Sequence, residues 1–134
     1  IPKMFEIPAQ LYWLSIEPQL GPINLLNAQS GYDDTGYRRP LLTNARIGWA
    51  VYGGESGSLD KVRPLQIEWI RDGIRQCRDA KVACFVKQMG ARTFMEPQDG
   101  APLLRTFNHV EAADPVNWPE DIRIREFPDN LGVG

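Results

Sequence analysis

The chain has 134 residues, 43% of them apolar and 24% charged, with a formal net charge of −2 and a pI near 5.4. This is ordinary globular usage for one domain, with enough apolar sequence for a core, and it excludes general disorder. The acidic balance and the lack of a long basic run argue against a general nucleic-acid or anionic-membrane binder. No apolar run approaches the roughly 20 residues of a membrane span, and the first residues carry no signal-peptide pattern, so a cytoplasmic protein is expected. The sequence opens at Ile1 rather than at methionine, and a piece of a longer protein is part of that expectation.

In chain order, residues 1–10 are a lead-in where Pro2 and Pro8 discourage a helix. Leu11 to Ile16 is the first apolar run and predicts a strand. It ends at Ser15, Glu17 and Pro18, and proline stops the ladder. Glu17 reads as a site carboxylate or as a solvated loop residue. The segment from Pro18 to Ala45 is irregular, with a turn at residues 20–23 and a long polar loop over residues 29–40. Asp33 and Asp34 suit a solvated turn or one edge of a cation site; Arg38 and Arg39 suit a phosphate or a plain surface pair.

Ile47 to Ser58 is the organising stretch: the six residues Ile47 to Tyr52 predict a strand of the kind buried on both faces, which delivers Gly53, Gly54, Glu55 and Ser56. Glycines there permit close approach of a ligand to the backbone, and the carboxylate and hydroxyl supply an acceptor and a donor. Pro64 suits the first turn of a helix whose apolar stripe is Ile67, Ile70, Ile74 and Cys77. Val82 to Val86 is a third strand ending at Lys87 and Gln88, so residues 47–88 form a strand–helix–strand unit with parallel strands. Active sites of open α/β sheets and barrels lie beyond the carboxyl ends of parallel strands. Ser15, Glu17, Gly53, Gly54, Glu55, Ser56, Lys87 and Gln88 are therefore the candidate ligand-binding residues of one shared mouth. Lys87 could pair with the carboxylates there or bind an anionic group.

Cys77 and Cys84 fall on a helix face and inside a strand, which predicts buried free thiols, and no metal site is expected. Residues 96–102 have loop chemistry and residues 103–110 suit a short strand or an extended arm. His109, the only histidine, lacks the partner a triad or metal site needs. Residues 111–134 read as an irregular tail with a small strand, wrapped on the domain of residues 1–110 through Trp118.

Several of these motifs together resemble a phage-associated protein family of unassigned function. They are residues 14–23 (Leu-Ser-Ile-Glu-Pro-Gln-Leu-Gly-Pro-Ile), 53–57 (Gly-Gly-Glu-Ser-Gly), 70–77, 85–90 (Phe-Val-Lys-Gln-Met-Gly) and 118–128 (Trp-Pro-Glu-Asp-Ile-Arg-Ile-Arg-Glu-Phe-Pro). Complete members resemble radical S-adenosylmethionine enzymes, barrels whose N-terminal half carries three closely spaced cysteines for an iron–sulfur cluster. This chain has no such cysteines, so the resemblance covers the C-terminal half. It implies S-adenosylmethionine and a cluster for complete members only, not for this chain. Gly53-Gly54-Glu55 resembles the segment that contacts the amino group of S-adenosylmethionine in those enzymes. The implied fold class is α/β: a partial (βα) barrel-like parallel sheet with an irregular C-terminal tail. Open edges would require a homodimer, the missing N-terminal half, or closure by the chain's own loop and tail. Two functions follow: the substrate-side part of a barrel catalyst, not catalytic alone, or a non-catalytic ligand-binding or oligomeric assembly module. A small-molecule ligand fits either.

Overall fold

A computed structural model describes residues 6–26, 29–32, 38–42 and 47–129. In chain order these form β1 (Tyr12–Ile16), β2 (Gln29–Tyr32), β3 (Arg38–Pro40), β4 (Ile47–Gly53), β5 (Leu65–Gln66), α1 (Ile67–Ala80), β6 (Ala83–Gln88), β7 (Arg92–Gln98), β8 (Ala101–Thr106) and α2 (His109–Ala113). Two short 3-10 turns follow, at Pro115–Asn117 and Glu120–Ile122.

The three apolar runs become one parallel sheet in the order β1-β4-β6, with Ser15 opposite Val51 and Val51 opposite Phe85. Alternation along each strand sorts the side chains. Tyr12, Ala50, Tyr52, Cys84 and Val86 enter the core, where Leu14 and Ile16 pack against them. Trp13, Trp49 and Phe85 project from the opposite face. α1 covers the core side: Ile67, Ile70, Ile74 and Cys77 are all buried, as their spacing predicts. The helix lies close, since a Cβ on Gly73 would stand 2.6 Å from the Tyr52 ring. It ends at Lys81, whose left-handed backbone (φ 57°) donates to the carbonyls of Arg78 and Cys77.

Beyond β6 the expected barrel repeat stops. β7 turns straight back as antiparallel β8, and β5 pairs with β7 in parallel, giving a mixed sheet β5-β7-β8; β2 and β3 form an antiparallel pair. The described residues contain no closed barrel. The architecture is mixed α/β: two residues separate β7 from β8, far too few for a helix and a parallel return. Those two, Asp99 and Gly100, both have positive φ, 51° and 77°, as a two-residue hairpin turn demands.

Further expectations are refined by the structure. The helix starts at Ile67 and not at Pro64, because Leu65 and Gln66 are used in pairing with Thr93 and Phe94. The loop expected over residues 96–102 is the hairpin itself, and of the short strand or extended arm expected over residues 103–110 the strand is formed, from Ala101 to Thr106. Asn108 then caps α2, accepting from the amides of Val110 and Glu111 while Glu111 accepts from Asn108 N, a reciprocal cap. Part of the loop expected over residues 29–40 is the β2–β3 pair; Asp33 and Asp34 lie outside the described residues.

The tail does close one edge. Val86 N donates to Ile124 O and Glu126 N to Cys84 O, both at 2.8 Å, so residues 124–126 run antiparallel along β6 with a single bridge between Phe85 and Arg125. Trp118 is buried, and its indole donates to Ala112 O at 2.9 Å.

Candidate functional site

The three parallel strands end at the same side of their sheet, so the residues after them share one rim. Glu17 follows β1 on the face that carries Trp13 and Ser15, and Lys87 and Gln88 end β6, where the register shifts so that Gln88 stands opposite Gly53. Between them β4 contributes Gly53, which has no side chain. A Cβ there would lie 3.2 Å from the Glu17 carboxyl carbon, tighter than ordinary packing. Through that gap the Glu17 carboxylate crosses β4 and meets β6. Lys87 Nζ is 3.2 Å from Oε2, and Gln88 Nε2 donates to Oε1 at 3.0 Å and to Gly54 O at 3.2 Å. The carboxylate is mostly covered and the lysine side chain is 55% exposed, which leaves further ammonium hydrogens facing solvent. Ser15 is exposed two residues before Glu17 on the same face.

The backbone holds this rim. Gln19 N donates to Gly53 O at 2.9 Å and Gly54 N to Gln88 O at 3.2 Å, extending the ladder past the strand ends on both sides of β4. Gly54 must be glycine for a different reason than Gly53: a Cβ would stand 2.3 Å from Gly90 N and Cα, where two backbones touch.

Glu55 takes another direction. Its Oε2 accepts from Arg63 N and Nε at 2.9 Å each and its Oε1 accepts from Arg63 Nη2 at 3.0 Å, a two-pronged pair that folds the loop after β4 onto itself. Those Arg63 hydrogen bonds hold the Glu55 carboxyl down at about 2. Ser56 lies elsewhere again, at the mouth of a cavity of about 580 Å³ whose lining includes His109, Asn108 and Thr106. Sequence thus named eight residues, and the structure gathers Glu17, Gly53, Gly54, Lys87 and Gln88, leaves Ser15 beside them, and sends Glu55 and Ser56 to two other neighbourhoods. A larger cavity, about 600 Å³, lies at the opposite end of the sheet, among Gly48, Lys81, Ala83 and Glu126.

Two participants were missed. Arg63 sits eight residues from Glu55 in a connector with no periodicity, so nothing in the sequence signals the pair. Gln19 is buried after the cis Glu17–Pro18 bond, its Nε2 3.3 Å from Gly21 O and 3.4 Å from Trp69 O and its Oε1 without a protein partner. A polar residue directly after a Glu-Pro pair carries no burial signal of its own.

The groups implied by the resemblance can be tested against these residues. Among the described residues no group of three or more His, Cys, Asp or Glu could hold a metal ion. Cys77 and Cys84 are both free and buried, with the Tyr52 hydroxyl 3.8 Å from Cys77 Sγ. The hydrogen bond with Cys77 and burial push the Cys84 thiol well up, burial does the same for the Tyr52 phenol, and the hydrogen bond with Cys84 lowers the Cys77 thiol, so one thiol of the pair at most is poised as an anion. An iron–sulfur cluster does not fit them. Over residues 53–55 every carbonyl is already used: Gly53 O by Gln19 N, Gly54 O by Gln88 Nε2 and Glu55 O by Ala91 N. The Glu55 carboxylate, the charged group of the segment, is engaged by Arg63 and not left open for the amino group of S-adenosylmethionine.

A family model described as Protein of unknown function (DUF5131) matches residues 1–115. No curated protein and no solved structure matches the chain.

Proposed function

The chain belongs to the family Protein of unknown function (DUF5131), and on that premise we propose that it is a ligand-binding α/β module of a phage or mobile element. In this reading it corresponds to the C-terminal half of a radical S-adenosylmethionine-like barrel, keeps a polar site at its strand tips, and is not catalytic alone. The observation that supports the reading is the reach of Glu17 across Gly53 to Lys87 and Gln88. A carboxylate and an amide fixed beside a half-exposed lysine suit a small hydroxylated anion. The ammonium takes the anionic group, and the carboxylate and the free amide oxygen accept from hydroxyls. The role proposed for these residues is binding, and no catalytic role is assigned to them. No step is routed through a cluster or through S-adenosylmethionine.

Ribose 5-phosphate is a fitting probe. Calorimetric titration is expected to give binding that weakens about tenfold, roughly 1.4 kcal/mol, in Lys87→Met. A titration with no heat of binding in the unsubstituted protein removes the reading; so does a Lys87→Met variant that binds equally well.

A second reading is an oligomeric assembly module, as a homodimer or with a partner that supplies the other half of a barrel. It is favoured by Trp13 and Phe127, half or more exposed on the sheet face away from α1. In a cytoplasmic setting the two free thiols would stay reduced. No helix among the described residues is long and apolar enough to cross a membrane.

A further inference from the structure

Adjacent residues of a regular strand point to opposite faces of the sheet, yet Lys87 and Gln88 both reach the Glu17 carboxylate. The register of β6 against β4 shows how. Tyr52 stands opposite Val86, but the next residue of β4, Gly53, stands opposite Gln88, so Lys87 is one residue too many on its strand. Such a bulge bends the strand that carries it and re-aims its side chains. In an unbulged β6, one of the two side chains would leave the carboxylate for the other face.

A bulge also takes backbone groups out of the ladder, and those groups need other partners. Arg125 supplies them. Its Nε donates to Val86 O at 3.3 Å and its Nη2 to Lys87 O at 3.0 Å, so two consecutive carbonyls turn to the same outer edge of β6, where a regular strand would alternate them. Nη2 donates to Ala113 O at 2.9 Å as well, and the guanidinium lies over the rings of Phe85 and Trp118, 5.3 and 5.1 Å from their centroids. The antiparallel run of residues 124–126 along β6 delivers the side chain there. A planar fork with five donors holds three carbonyls at once, which an ammonium on a flexible stem does poorly.

The geometry points to Arg125 as the positioning residue of the strand-tip site: it fixes the bulge at Lys87, and the bulge sets ammonium and amide side by side on the rim. This inference rests on the strand-tip reading above and adds the residue that holds that site in shape. Arg125 acts through Lys87 and Gln88, from behind the rim.

The test is calorimetric titration with ribose 5-phosphate of the full chain and of Arg125→Met, Arg125→Lys and Arg123→Met. Arg123 is the matched control, since it too anchors the tail, bonding the carbonyls of Val116 and Trp118, and none of those bonds reaches β6. Arg125→Met is expected to weaken binding about tenfold and Arg125→Lys about threefold, while Arg123→Met binds as the parent does, whatever each does to the thermal melt. Added to Lys87→Met, Arg125→Met is expected to cost less than about twofold more, because both act through one ammonium. Without ligand, amide NMR spectra of Arg125→Met are expected to show moved signals at residues 87–88 and at the Gln88 side-chain amide. Parent-like affinity in Arg125→Met, an equal loss in Arg123→Met, an undiminished loss on top of Lys87→Met, or unmoved signals at residues 87–88 each overturns the positioning role and leaves the strand-tip site standing. If Arg125→Met has no cooperative melt, Arg125→Lys against Arg123→Met decides by the same criteria. No binding by the unsubstituted protein removes the strand-tip reading and this inference with it.

Discussion

At Gly53 the missing side chain is what lets one carboxylate link the first and third strands of the sheet. A methyl group 3.2 Å from the Glu17 carboxyl would make that side chain give way by a few tenths of an ångström, so the last residue of β4 bears directly on how the rim assembles. Glu55, two residues later, shows the opposite case of a carboxylate used up inside its own loop. Its folded value near 2 is set by hydrogen bonds from Arg63, against about 4.3 for an unfolded glutamate. Because the folded value is the lower one, the stability Glu55 contributes is complete above the unfolded value and is lost as pH falls through the folded value. Urea melts stepped from pH 6 to pH 2 are expected to show the unsubstituted protein losing its advantage over Glu55→Gln between about pH 4.3 and about pH 2. A gap that stays constant across that window contradicts the assignment of the shift to this pair.

Among the elements, α1 was the most legible, because its four apolar positions report one covered face and all four are buried there. Its contact with the sheet is close enough to make Gly73 a test. Alanine improves helix propensity by up to about 1 kcal/mol, but its methyl would fall 2.6 Å from the Tyr52 ring, and overpacking of that kind costs about 1–3 kcal/mol. Gly73→Ala is therefore expected to lower stability, by up to about 2 kcal/mol in denaturant melts once the propensity gain is subtracted; a variant more stable than its parent would mean that the helix sits further from β4. The helix is also tied down on its outer side. Arg71 bonds Glu68, Glu96 and Asp121, joining α1 to β7 and to the 3-10 turn at Glu120–Ile122, and its hydrogen bonds hold the Asp121 carboxyl below the usual range. β7 and β8 were the least legible elements. Pro97 and Pro102 made residues 96–102 look like loop, whereas the Asp99-Gly100 pair was a hairpin signal that the prolines concealed. Proline is tolerated there because it falls near the end of β7 and on the outer strand of the sheet.

For the whole molecule, the strand–helix–strand unit of β4, α1 and β6 was readable because burial imposes periodicity, and the parallel order of β1, β4 and β6 carried Glu17, Lys87 and Gln88 to one rim. What could not be read depends on contacts between residues far apart in sequence. Arg63 draws Glu55 away, β5 pairs with β7 before the helix begins, and the tail at residues 124–126 occupies the β6 edge that a further barrel strand would have used. That last contact explains why, among the described residues, the parallel sheet ends at three strands in a mixed α/β architecture. The central claim is that the C-terminal rim of this sheet, rather than either cavity, holds the ligand. The most direct measurement is an amide NMR titration with ribose 5-phosphate. The account predicts shifts concentrated at residues 17, 53–54 and 87–88; shifts centred on Gly48, Lys81 and Glu126, or on Ser56 and His109, would contradict it.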